Sequence, residues 1–159
     1  MTTRTRTPID EPLARFLESG LAITVATRDG ELQPDGSWAW AVRVEDGGGE
    51  VAVFLHEDAA AAMLRNLAVH PEIAVALDRP TSHRACQVKG TFLSSRAARF
   101  EEKAEIERQV GLFRADLEAI GLPEGMTAGW VLWPATVLRV RVTDVFEQTP
   151  GPGTGGRLP

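Results

Sequence analysis

Between Leu21 and His56 three strand-like runs follow one another with only turns between them, and this excludes most architectures. The run LAITVAT (21–27) stops at Arg28-Asp29-Gly30. WAWAVRVE (38–45) follows Pro34-Asp35-Gly36 and leaves through DGGG (46–49), and EVAVFLH (50–56) returns as the next strand of a hairpin. Strands joined this closely are antiparallel, because a parallel pair needs a long crossover. Alternation over 38–45 puts Trp38, Trp40, Val42 and Val44 on one face, with Ala39, Ala41 and Arg43 on the other.

Two helices interrupt the strands that come later. DEPLARFLESG (10–20) first reads as a short helix capped by Asp10. After EVAVFLH a helix starts at once; Asp58 can cap it, Met63, Leu64 and Leu67 give it an apolar side, and Pro71 ends it. EIAVALD (72–78) and ACQVKGTFL (85–93) are strand-like, the second with a bulge or close approach at Gly90. Residues 97–120 form the longest helix, with an apolar stripe of Ile106, Val110, Phe113, Leu117 and Ile120 and surface pairs Lys103–Glu107 and Arg114–Glu118. A long alternating strand covers 134–148. The expected fold is α+β, a small, mostly antiparallel barrel with helices packed outside. Residues 1–9 read as a flexible tail, 10–148 as one domain, and 149–159 as a Gly/Pro-rich arm without regular structure.

Composition narrows the function. Net charge is −5, and no Lys/Arg stripe interleaves with aromatics, which argues against nucleic acid as a partner. The basic RTR at Arg4 and Arg6 is short enough for a solvated tail. There is no signal-like segment or membrane-length apolar run, and a single cysteine suits a reducing compartment, so the reading is soluble and cytoplasmic.

Few side chains suggest chemistry directly. His56, His70 and His83 share no metal-ligand spacing, so no metal is expected. Ser82 beside His83 lacks a nucleophile elbow. GPGTGG (151–156) follows a strand but opens no helix, which fails both phosphate-loop patterns. Cys86 reads as core packing. Four tryptophans, at 38, 40, 130 and 133, read either as core or subunit interface or as a wall for a planar ligand.

Several of these stretches together resemble the pyridoxamine 5′-phosphate oxidase-like family of FMN-binding split barrels. LAITVATRDG resembles that family's first strand and turn. EVAVFLHEDAAAAMLRNLAVHPEIAVALD resembles its strand, helix, "NL…P" and strand segment, and RACQVKGTF resembles the strand that follows, with its fixed glycine. The likeness spans about residues 10–96. The ending VFEQTPGPGTGG is similar to endings in a subset of the family.

The resemblance implies a split barrel that forms a homodimer, with FMN at the subunit interface and its phosphate on basic side chains. By position, Trp40, Val42 and His56 would border the ring, Gln87 would offer a polar contact, and Ala62 and Met63 would stand at the phosphate. The family places an Arg/Lys pair, or one Lys, where this chain has Ala61, Ala62 and Met63. Trp40 and Glu45 stand where two further basic residues would be. At roughly 1.5–3 kcal/mol for each charge-assisted bond, two lost contacts weaken FMN on the order of 10²- to 10⁴-fold unless Arg65, Arg84 or Lys89 substitutes. Two functions follow: an FMN-dependent oxidoreductase of unknown substrate, or a barrel that has lost FMN and either binds without catalysis or takes another planar cofactor such as a deazaflavin or haem. No acid–base residue is singled out.

Overall fold

The computed structural model describes residues 8–159. The elements are α1 (Glu11–Leu17), β1 (Ala22–Arg28), β2 (Pro34–Ala39), β3 (Ala41–Glu45), β4 (Glu50–His56), α2 (Glu57–Leu67), β5 (Glu72–Asp78), β6 (Ala85–Ala97), α3 (Lys103–Ala119) and β7 (Ala135–Glu147). All strand pairs are antiparallel, and the order across the sheet is β2-β1-β5-β6-β7-β4-β3. The two edge strands are consecutive in sequence and only Trp40 separates them. The sheet therefore curls into a barrel split between β2 and β3, as expected.

That split corrects the reading of 38–45 as one strand. The chain turns a corner at Trp40: β2 pairs with β1, β3 pairs with β4, and Trp40 N–H donates to the Phe54 carbonyl at 2.8 Å. Ala39 and Val42 join the barrel interior, while Ala41 packs on the opposite side, so the alternation breaks there. A uniform face from Trp38 to Val44 does not exist.

The interior is filled by inward residues of the strands, among them Ile23, Val25, Val53, Val75, Val88 and Val140, with Met63 and Leu67 of α2 and Phe16 and Leu17 of α1. The outer side of β3, β4 and the start of β7 is covered by α3, through Ala52, Phe54, Ile106, Val110 and Val137. β4 is thus buried on both faces, which explains its unbroken apolar run. The apolar stripe of α3 is buried at Ile106, Val110 and Phe113 and emerges at Ile120. Lys103 pairs with Glu107, whereas Arg114 turns away from Glu118, donates to the Thr127 carbonyl and lies over Trp130.

Gly90 has the expected close approach. The β6–β7 register shifts between Lys89 and Gly90, and a Cβ on Gly90 would lie 2.3 Å from the Arg141 carbonyl oxygen. The shift leaves Thr143 and Asp144 both turned outward, while Val142 and Val145 on either side stay buried.

Of the expected N-terminal tail only Pro8 and Ile9 are described, and the C-terminal arm is described throughout. Ile9 is buried in the core, while Arg4 and Arg6 lie outside the described residues. The arm folds back along β7 beyond the end of β4: Gly155 N–H donates to Glu147, Glu147 N–H to Gly156 and Leu158 N–H to Val145, at 2.7–2.8 Å. Leu158 then packs against the core.

Candidate functional site

The first turn of α2 carries two carboxylates, Glu57 and Asp58, and no cation. Its cap is His56 and not Asp58: the imidazole Nδ1 accepts the Asp58 N–H at 3.3 Å and lies 3.6 Å from the Asp58 carboxylate. Glu57 and Asp58 stand exposed in that turn, where they satisfy the helix dipole and repel an incoming anion. Ala61 is exposed and Ala62 half-buried. Met63 points into the barrel, where its sulfur accepts a hydrogen bond from Thr27 Oγ1 at 3.3 Å. Asn66 completes this buried group, donating to Thr27 Oγ1 at 2.9 Å and to Asp35 at 3.1 Å.

Val42, expected beside the ring, and Met63, expected at the phosphate, are both buried in the barrel core, at 2% and 1% exposure. Trp40 packs within the chain. Its ring centre is 5.4 Å from that of Trp130, which stacks on Phe113 at 5.5 Å, and Phe113 approaches Trp38 at 6.4 Å. This aromatic row clamps α3 to the corner between β2 and β3; Trp40, Trp130 and Trp133 pack half-buried against the outer core, while Trp38 is 52% exposed. Trp40 Nε1 is buried there without a hydrogen-bond partner among the described residues.

Gln87 lies elsewhere, half-buried on the outward face of β6. No described element covers this face across β1, β5, β6 and the end of β7. Strand register aligns its outward residues in rows. One row runs Trp38, Thr24, Ala76, Gln87, Phe146, and the next Ala26, Ala74, Lys89, Asp144. A third runs Glu72, Thr91, Arg141, and Arg28 joins it through its ion pair with Glu72. An antiparallel sheet with one wet face ordinarily carries long polar side chains there. Here Thr24, Ala26, Ala74 and Ala76 make a floor of small residues.

A groove of about 420 Å³ crosses the second and third rows, floored by Ala26 and Ala74 and bordered by Arg28, Glu72, Lys89, Thr91, Thr143 and Asp144. Its volume is in the range of small-molecule sites. Arg28 pairs with Glu72 at 3.2 Å and Asp144 with Arg157 at 2.6 Å. Lys89 has no carboxylate partner among the described residues and lies 5.1 Å over the Phe146 ring. These floor and rim residues were legible only indirectly, as alanine and threonine recurring at alternate positions of LAITVATR and EIAVALD.

A second charged cluster joins β3 and β6 to α3. Glu102 is buried among Arg43, Arg96 and Arg99. Bonds from Arg96 above all hold its carboxyl down to about 2. Each cation here already faces a carboxylate, so the cluster is structural. Burial pushes the Cys86 thiol up to about 12, which makes it inert packing. The described residues contain no group of three metal-ligating side chains, and no described helix is long and apolar enough to cross a membrane.

No protein-family model matches the chain, and no curated protein matches it. Solved structures do. HupZ of Group A Streptococcus is 15% identical over 92% of this chain and 99% of its own, with a TM-score of 0.56. A candidate pyridoxamine 5′-phosphate oxidase of Lactobacillus delbrueckii is 15% identical over 90% and 97%, with a TM-score of 0.55. An FMN-binding protein of Syntrophomonas wolfei is 12% identical over 84% and 82%, with a TM-score of 0.51. At such identities the likeness establishes architecture alone. The chain has the fold of the pyridoxamine 5′-phosphate oxidase-like split barrels.

Proposed function

We propose that this protein is a cofactor-binding split barrel that works as a homodimer and holds a planar ring of the flavin class against the outward face of β1, β5, β6 and β7. The observation that carries this reading is the uncovered floor of Thr24, Ala26, Ala74 and Ala76, flat enough for a ring and edged by the amide of Gln87. Two copies setting these faces together would enclose the groove and exclude water from it. The FMN-binding protein that shares the fold supports the ligand class.

FMN seated at α2 does not fit, because that turn presents Glu57 and Asp58 and no cation. No reaction step is assigned through it. A bound flavin would supply redox chemistry, making the protein an oxidoreductase; the chain would supply the flat surface and the enclosure. Haem is disfavoured, because among the described residues the outward rows carry no histidine and Cys86 is buried, so the rows themselves offer iron no axial ligand.

The test is the visible spectrum of the protein as purified, followed by tryptophan-fluorescence titration with FMN and riboflavin and by sedimentation of the free and liganded forms. Saturable quenching by either flavin at micromolar levels, in a dimer, supports the proposal. A colourless protein that ignores both at millimolar levels would leave a non-catalytic barrel, the reading that the acidic turn of α2 favours.

A further inference from the structure

We infer that the groove between Arg28 and Lys89 is an anion seat that takes the phosphate monoester of the ring ligand, in place of the first turn of α2. This rests on the reading of the sheet face as a ring-binding surface.

Three observations lead to it. First, the groove is the part of that face where positive charge is left over. Glu72 is matched by Arg28 and Asp144 by Arg157, which leaves the Lys89 ammonium unmatched among the described residues. Second, Arg28 is incompletely satisfied. Its Nη2 faces Glu72, but its Nε is shielded from solvent and has no hydrogen-bond partner among the described residues. A buried donor without an acceptor is costly, and a phosphate oxygen is a strong acceptor for a guanidinium edge. Third, the hydroxyl-bearing Thr91 and Thr143 border the same groove, and Arg141 follows on the outward side of β7 with no carboxylate partner among the described residues.

The bulge beside Gly90 shapes this seat. By turning Thr143 and Asp144 both outward, it sets one rim of the groove opposite Arg28. The uncharged row of Thr24, Ala76 and Gln87 lies one step along the strands, on the order of 7 Å away. A flat ring there and a phosphate in the groove would be joined by a short polyol. The same residues would take free phosphate weakly, without the ring.

The experiment measures dissociation constants for FMN, for riboflavin, and for riboflavin in the presence of inorganic phosphate, on the full chain, its K89A variant and the controls R65A and R84A. Lys89 is exposed, so thermal unfolding of K89A should match the parent and confirms that it folds. The expected result is FMN binding at least tenfold tighter than riboflavin, a loss of about tenfold for FMN in K89A with riboflavin unchanged, and weakening of FMN with salt. R28K, which keeps the charge but lacks the Nε edge, should also lose FMN preference. Equal affinity for FMN and riboflavin would overturn the seat while leaving ring binding intact. Loss of FMN preference in R65A or R84A but not K89A would move the phosphate to that arginine and overturn it. If neither flavin binds, the ring-binding reading fails and the seat fails with it.

Discussion

Arg96 grips Glu102 through both terminal nitrogens, Nη1 to Oε2 and Nη2 to Oε1, each at 2.7 Å, and so ties the end of β6 to the start of α3. Arg43 of β3 adds a contact at 3.1 Å, and the Arg99 N–H a further one at 2.8 Å. The Glu102 carboxyl is lowered from 4.5 to about 2, so its contribution is fully present above the unfolded value and fades as pH falls from about 4.5 to 2. The wild type should lose roughly 3 kcal/mol from this group over that window. Urea unfolding of wild type and Glu102→Gln checks it: the gap between them should be wide at pH 7 and close by pH 2. A gap that stays constant with pH would refute the assignment.

Gly90 and Gly111 should respond oppositely to alanine. A Cβ at Gly90 meets the backbone oxygen of Arg141 at 2.3 Å and Val140 Cγ1 at 2.6 Å, and neither is a flexible chain end. Gly90→Ala should cost about 2 kcal/mol or more and disturb the rim of the groove. Gly111 sits inside α3 with nothing within 4 Å of a new Cβ, so Gly111→Ala should stabilise by about 1 kcal/mol. Thermal unfolding of the two variants decides both.

Periodicity made most of the barrel legible. LAITVAT and EIAVALD alternate because one face is core, and EVAVFLH is continuous because β4 is covered on both sides. The corner at Trp40 was not legible, since the chain changes strand partner there without a glycine or proline to mark it. The cap of α2 was misplaced because Asp58 is the better cap by type, yet the helix begins two residues earlier, at Glu57, and His56 Nδ1 takes the bond. At the candidate site the family resemblance pointed to Ala61, Ala62 and Met63 where cations would be expected. It did not show that Lys89 lies unmatched by a carboxylate, because that depends on which carboxylates strand register brings beside it.

Cys86 should be unreactive in the native state. It is 3% exposed inside the barrel, and burial pushes its thiol up to about 12, so almost no thiolate exists at neutral pH. Labelling by a thiol-specific disulfide reagent should be negligible in buffer and complete in urea, with a native rate that tracks global unfolding. Rapid labelling without denaturant would mean that the β5–β6 end of the barrel opens locally.

The aromatic row should be a structural clamp, separable from ligand binding. Trp130 touches Trp40 on one side and Phe113 on the other, with the Arg114 guanidinium 5.6 Å from its ring, so it connects the corner between β2 and β3, the helix α3 and the segment leading to β7. Removing a large ring from such a place costs about 3 kcal/mol, at the low end for core aromatics because Trp130 is only half-buried. Trp130→Ala should therefore lower the thermal midpoint by several degrees and loosen α3, read as faster amide exchange at Val110 and Phe113. Trp130→Phe should recover much of the loss, since the stack on Phe113 needs a flat ring and not an indole N–H. Flavin affinity of the folded variant, measured well below its midpoint, should be unchanged, because no residue of the row except Trp38 reaches the outward sheet face. A specific loss of flavin binding in Trp130→Phe, with stability retained, would instead place the ring at the corner beside Trp40.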